Sequence, residues 1–223
     1  MYKRIYILII LSLATEYAVG QGGLQFGVVF DPTVMWFNSD NSNVVPQKTH
    51  LGFNFGMSVD YYFANNYAIA SGISLFNTKS TIKYADGIAR FRTSNSIVSL
   101  EAGRSIEYRI QYVNIPLGLK LKTHRIGRYV YSANMGFNTM IRASAKADFI
   151  AEDVRKYSKA RVGKEVNFIN MGWHFGGGAS YSLGGAASVF GGISFMNTFL
   201  DMTASSRDKI TSHNISFRIG VLF

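Results

Sequence analysis

HNISFRIGVLF, residues 213–223, is the stretch whose reading decides the fold. Ile215, Phe217, Ile219, Val221 and Phe223 take every second position, and Asn214, Ser216, Arg218 and Gly220 alternate with them. Period-two alternation is the mark of a β-strand with one apolar and one polar face. The stretch HLGFNFGMSVDYY (50–62) repeats the pattern. Leu51, Phe53, Phe55, Met57, Val59 and Tyr61 share one face, opposite His50, Gly52, Asn54, Gly56, Ser58 and Asp60. An open, solvated sheet would show Lys and Glu on its polar side. Small Gly, Asn and Ser groups suit instead the crowded interior of a narrow barrel, with lipid covering the apolar face.

Working outward, composition narrows the classes. With 48% hydrophobic and 16% charged residues, the chain is not disordered. It contains no cysteine, which removes disulfide frameworks and thiolate metal sites. The net charge of +10 makes nucleic acid the first suspect for a soluble protein. The N-terminus MYKRIYILIILSLATEYAVGQGG argues otherwise. Lys3 and Arg4 precede an apolar run from Ile5 to Ala14, and Ala18 and Gly20 stand at small-residue spacing. This is the layout of a secretory signal peptide over residues 1–20, cleaved between Gly20 and Gln21. The run is about half of the ~20 residues a membrane-spanning helix needs. Removing Lys3, Arg4 and Glu16 lowers the charge by only one, and an exported chain has little access to nucleic acid.

Residues 21–223 are then one domain of alternating segments. Eight strands are expected near 23–37, 49–62, 67–82, 109–122, 129–142, 166–181, 186–200 and 210–223. Their connections are tight at 63–66, 123–128 and 182–185, and long around 38–48, 83–108, 143–165 and 201–209. Short turns on one side and long, charged loops on the other predict an all-β, transmembrane, antiparallel up-and-down barrel of the bacterial outer membrane. The Asp86-Gly87 turn signal allows one further hairpin, projecting above the membrane as an extension of the third strand. In such a barrel the last strand pairs with the first, and an apolar lipid-facing row is required. Tyr61, Tyr67, Tyr129, Tyr181 and Phe223 fall at one level and form an interfacial aromatic girdle.

Two stretches resemble known motifs. Phe217, Ile219, Val221 and the terminal Phe223 resemble the C-terminal signal read by the outer-membrane assembly machinery. YVNIPLGLKLK (112–122) resembles a strand motif of the PorT-like outer-membrane β-barrel proteins of the Bacteroidota, matched at Tyr112, Ile115, Pro116, Leu117 and Lys120. Some members of that family serve the type IX secretion system, so the resemblance implies partners among envelope or secretion proteins. Pro116 removes a ladder donor and is expected to sit at a bulge.

By parity the lumen receives Asp31, Asp60, Lys120, Arg142 and Arg218, and Asp31 with Arg218 forms the best candidate ion pair across the closing strands. His174 points inward too, and such a row obstructs a solute channel. His50 and His213 lie near the outer rim with Ser205, Ser206 and Ser212, but no orienting third group or oxyanion site is legible for a lipid A-modifying enzyme. His124 falls in a turn. No metal-ligand spacing occurs and no cofactor is implied. GWHFGGGAS (172–180) lacks the Lys-Ser/Thr of a phosphate loop, and Gly176 and Gly178 make room for larger lumen side chains. Two basic clusters remain, Lys79, Lys83, Arg90, Arg92, Arg104 and Arg109, and Lys146, Arg155, Lys156, Lys159, Arg161 and Lys164. They suit a solvated surface or attraction to lipopolysaccharide phosphates. The expected function is a non-enzymatic barrel attached to an envelope machine. A small-solute channel and a lipopolysaccharide-interacting structural barrel are the alternatives.

Overall fold

The computed structural model describes residues 23–86, 88–204 and 209–223. The expected signal peptide and its Gly20–Gln21 cleavage site lie outside them, as do Gly87, Ser205 and Ser206. Among the described residues twelve strands follow one another: β1 (Leu24–Ser39), β2 (Val44–Pro46), β3 (His50–Ala64), β4 (Tyr67–Tyr84), β5 (Ile88–Arg92), β6 (Ile97–Leu100), β7 (Ser105–Lys122), β8 (Tyr129–Ile150), β9 (Lys156–Arg161), β10 (Ile169–Gly184), β11 (Ala187–Thr198) and β12 (Ile210–Leu222). Eight of them, β1, β3, β4, β7, β8, β10, β11 and β12, form a closed antiparallel ring. The seam joins β12 to β1 with Val28 opposite Val221, Phe30 opposite Ile219 and Thr33 opposite Ser216. Phe223 exchanges backbone hydrogen bonds of 2.9 Å in both directions with Phe26, so pairing runs to the last residue. Closure removes the sheet edges that an isolated C-terminal strand would present.

The faces follow the alternation. Leu51 is 78% exposed and Phe53, Phe55 and Met57 stand out from the wall, while Asn54 and Asp60 of the alternate face are buried. Phe217, Ile219, Val221 and Phe223 continue the same outward row on β12. Tyr61, Tyr67, Tyr129 and Phe223 are exposed at the short-turn end, and the Tyr129 and Tyr181 rings meet edge-on at 5.1 Å.

Three features differ from expectation. First, β7 and β8 do not stop near 109 and 142; they run on together from Ser105 and up to Ile150. With β2 on β4 and β9 on β8 they make a five-stranded wall, β2-β4-β7-β8-β9, rising past the ring at the long-loop end. Above the lipid belt the dress of the strands inverts. Ile106, Tyr108, Ile110, Ala145, Ala147 and Phe149 point inward and are buried. Glu107, Arg109, Lys146 and Asp148 occupy the intervening positions. Water replaces lipid outside, so the apolar row changes sides. Second, β5 and β6 pair in a separate two-stranded sheet rather than prolonging β4. They bring Phe91 and Leu100 onto a core that includes Ile82, Ile106, Tyr108, Phe149, Val162 and Met202.

Third, Pro116 is not bulged. It holds its place opposite Asn138 on β8. On β4 the register is the same at Ser71–Leu117 and Ser74–Asn114, with the rungs between them lapsed. The missing donor is accommodated there, and the Ser71 hydroxyl donates to the Pro116 carbonyl at 2.9 Å. The register shifts instead between the Gln111–Ser144 and Tyr112–Arg142 rungs, where Ala143 of β8 is the extra residue of a bulge. That is where the wall changes from lipid-facing to water-facing dress, and a bulge adds the bend and twist such a change of course needs.

Candidate functional site

The lumen is layered. At the short-turn end the mouth is lined by Lys120, Lys122, Arg125 and Arg128 with Tyr62 and several serines. Above it Lys120 donates to Asp60 at 2.5 Å, and its ammonium lies 5.9 Å from the centroid of Phe190. Phe190 reaches inward because Gly178 and Gly192 give it room. A Cβ at either glycine would come within 2.7 or 2.9 Å of the ring.

The next layer holds Arg218 and Asp31. Arg218 Nε donates to Asp31 Oδ1 at 2.9 Å and Nη2 to Oδ2 at 2.8 Å, a bidentate fork. Asn54 Nδ2 adds a third donor to Asp31 Oδ2 at 2.8 Å, and Asp31 is 1% exposed. The two residues face each other at the seam where Pro32 interrupts the ladder, between the Phe30–Ile219 and Thr33–Ser216 rungs. The side-chain pair joins strands where the backbone bonds lapse. His174 Nδ1 lies 3.0 Å from Asn138 Nδ2 in the same region. These groups surround a cavity of about 110 Å³, where Asn54 Oδ1 and Asn114 Oδ1 lack protein partners. A polar void of this size accommodates ordered water.

Apolar side chains close the lumen above. Met35, Phe76, Tyr112 and Met140 begin a buried cluster that runs continuously into the core of the protruding wall. Arg142 takes part without a carboxylate. Its Nη1 donates to the carbonyls of Gly163 and Val166, clasping the 3-10 turn Gly163–Glu165 against the barrel. Hydrogen bonds from a charged donor contribute roughly 1.5–3 kcal/mol. Arg142→Met should therefore loosen the segment 156–166 and raise its cleavage by added protease, while the ring strands stay protected.

The positions that resemble the PorT-like motif divide by parity. Ile115 and Leu117 are exposed on the lipid face, Tyr112 is buried in the cluster, Pro116 lines the cavity and Lys120 pairs with Asp60. The histidines do not converge. His50 is buried in the wall at the start of β3. His213 is stacked on Trp36 at 5.7 Å and held between Asn38 and Asn197. The Ser212 hydroxyl lies within hydrogen-bond reach of Thr198, not of His213. Among the described residues no group of three or more His, Asp or Glu is arranged to hold a metal ion.

The family model described as an outer membrane protein beta-barrel domain matches residues 18–195. The chain belongs to the outer membrane β-barrel domain family. Solved structures similar to this outer membrane barrel include Neisserial surface protein A, at 11% identity and TM-score 0.45, covering 88% of this chain and 96% of that one. OprG from Pseudomonas aeruginosa matches at 12% and 0.46, covering 90% and 95%. The attachment invasion locus protein Ail of Yersinia pestis matches at 13% and 0.42, covering 91% and 100%. A search of curated proteins finds no match.

Family membership sets the barrel in the bacterial outer membrane, and in such barrels the short turns are periplasmic and the long loops extracellular. The absence of cysteine makes this measurable. Single cysteines at the exposed Ser42 and Ser158 should label on intact cells with a membrane-impermeant maleimide. A cysteine at Asn65, in the turn between β3 and β4, should label only after the outer membrane is breached. The reverse pattern overturns the orientation.

The extracellular wall carries its own charge collar. Glu107 bridges Lys79 at 3.1 Å and Arg109 at 2.9 Å, and Arg109 also bonds Asp148. Burial works to raise the Glu107 carboxyl, but the hydrogen bonds from Arg109 and Lys79 outweigh it and hold it below the ordinary glutamate value.

Proposed function

We propose that this outer membrane barrel is a non-enzymatic subunit or accessory of an envelope machine, with type IX protein secretion as the setting. One observation carries the reading: the interior is shut while the exterior is extended. Two ion-paired layers and the apolar cluster fill the lumen, and the same cluster stiffens a five-stranded wall standing outside the membrane. A shut barrel with a rigid external wall suits holding another protein better than passing a solute. The PorT-like motif at Tyr112, Ile115, Pro116, Leu117 and Lys120 supports secretion as the setting. The separation of His50, His213 and Ser212 supports a non-enzymatic role.

The test is affinity purification of the full chain from native membranes after mild crosslinking. A stoichiometric envelope or secretion partner is expected, and its yield should fall when the wall at 156–161 is altered. Recovery of the barrel alone, together with stepwise conductance in planar bilayers, would favour the channel reading.

A further inference from the structure

The geometry points to a second site, independent of the secretion reading: the periplasmic mouth binds a phosphate monoester group presented from the periplasmic side. The mouth is a concave space of about 170 Å³ built from several elements. Lys120 and Lys122 come from the end of β7, Arg125 and Arg128 from the turn after it, and Ser180, Ser182 and Ser188 from β10 and β11. Among the described residues no carboxylate lines this space. Asp60, in the layer above, is already paired with Lys120.

Three cations are left over. None of Lys122, Arg125 and Arg128 forms an ion pair among the described residues, and all three line one opening. Lys122 is fixed rather than trailing into solvent. Its ammonium sits 3.6 Å over the Tyr62 ring, and the Tyr62 hydroxyl is tied to Gln25 at 3.3 Å. Arg128 is anchored by Nη1 donating to the Tyr181 hydroxyl at 3.2 Å. Like charges held together in a concavity repel one another, and a bound anion relieves that repulsion.

The charge and donor count selects the anion. A carboxylate brings one charge and two oxygens and leaves two of the three cations unanswered. A phosphate monoester brings a charge of about −1.5 to −2 and three accepting oxygens, which two guanidinium forks, an ammonium and serine hydroxyls can satisfy. A space of about 170 Å³ is below the ~300–1,000 Å³ of pockets that enclose drug-sized ligands, so the group enters end-on with its carrier outside. The apolar cluster shuts the far end of the lumen, so the site is blind and binds rather than conducts.

The group could belong to a free solute or to a lipid headgroup of the periplasmic leaflet, and the test separates the two. The full-length barrel in uncharged detergent at 0.15 M salt is titrated with glycerol 3-phosphate, with glycerol and acetate as controls, while amide NMR shifts are followed. Saturable shifts confined to residues 120–132 and 180–188 are expected with the phosphate alone. Arg125→Gln, in an exposed turn, should weaken binding at least tenfold with the heat-modifiable gel mobility unchanged, and Arg125→Lys should restore part of it. Lys79→Gln in the extracellular collar should have no effect. Repeating the titration in nanodiscs with and without phosphatidic acid assigns the source. Loss of the response only when phosphatidic acid is present identifies a headgroup, and its persistence identifies a free solute. No saturable shifts in detergent, equal shifts with acetate, or binding indifferent to Arg125→Gln would overturn the site.

Discussion

Arg218→Met should destabilise the detergent-solubilised barrel by about 3–5 kcal/mol, the usual cost of removing one partner from a buried ion pair. The size follows from what is left behind. Asp31 is 1% exposed and keeps only the Asn54 amide once the guanidinium fork is gone. The temperature at which the protein loses compact gel mobility should fall accordingly. Asp31→Asn should also lower it, by leaving Arg218 without its counter-charge. The double variant should be less damaged than the sum of the two, because each single change already forfeits the shared interaction. Simple additivity would mean that the fork contributes nothing that either residue does not hold alone. Asp31 and Arg218 also bridge the seam beside Pro32, so the variants should open β1 from β12 before other strand pairs. Amide exchange along those two strands would report it.

Phe217→Arg should abolish accumulation of folded protein in the outer membrane. Phe217 is an exposed member of the lipid-facing row, six residues up from the Phe223 rim. A cation at the midplane of a lipid-facing strand costs roughly 2–4 kcal/mol, falling towards the interfaces. Phe223→Asp, at the rim, should carry a smaller equilibrium penalty. It also alters the terminal aromatic that resembles the assembly signal, so it separates insertion from stability. Normal folding of purified Phe223→Asp in detergent, with loss from cellular membranes, would assign that residue to assembly. Normal cellular levels for both variants would count against the row's role.

Much of the ring is legible in the sequence because lipid imposes a strict rule. Every second residue of a lipid-facing strand must be apolar, and the turns at 63–66, 123–128 and 182–185 are short enough to leave little choice of neighbours. Parity then sets Asp31 and Arg218 inward, and ring closure makes their strands adjacent, so the fork follows from counting. The extracellular wall is hidden by the same rule. SIEYRIQ (105–111) and SAKADFI (144–150) alternate as faithfully as the membrane strands, but their outward residues are charged, and Glu107, Arg109, Lys146 and Asp148 read as loop. Ile106, Tyr108 and Ile110 at period two were the signal available, with the apolar set on the opposite face. Pro116 misleads for another reason. A missing donor suggests distortion, yet the ladder can drop rungs on one side and keep its register, and sequence does not distinguish the two. The basic residues of the mouth, Lys120, Lys122, Arg125 and Arg128, lie together in 120–128, but only the closed ring sets them around one concave space with Ser180, Ser182 and Ser188 of β10 and β11.

The apolar cluster that starts inside the barrel and continues into the wall makes one chain answer to two solvents. Its waist is stabilised by hydrocarbon outside a polar interior, and its crown by water outside an apolar interior. Chaotropes attack the crown, where unfolding exposes greasy surface to water, and have little purchase on a waist whose greasy surface already faces lipid. Assembly inherits the same split. The crown cannot bury its core until β4, β7 and β8 have come together, so its folding waits on that of the ring strands it prolongs.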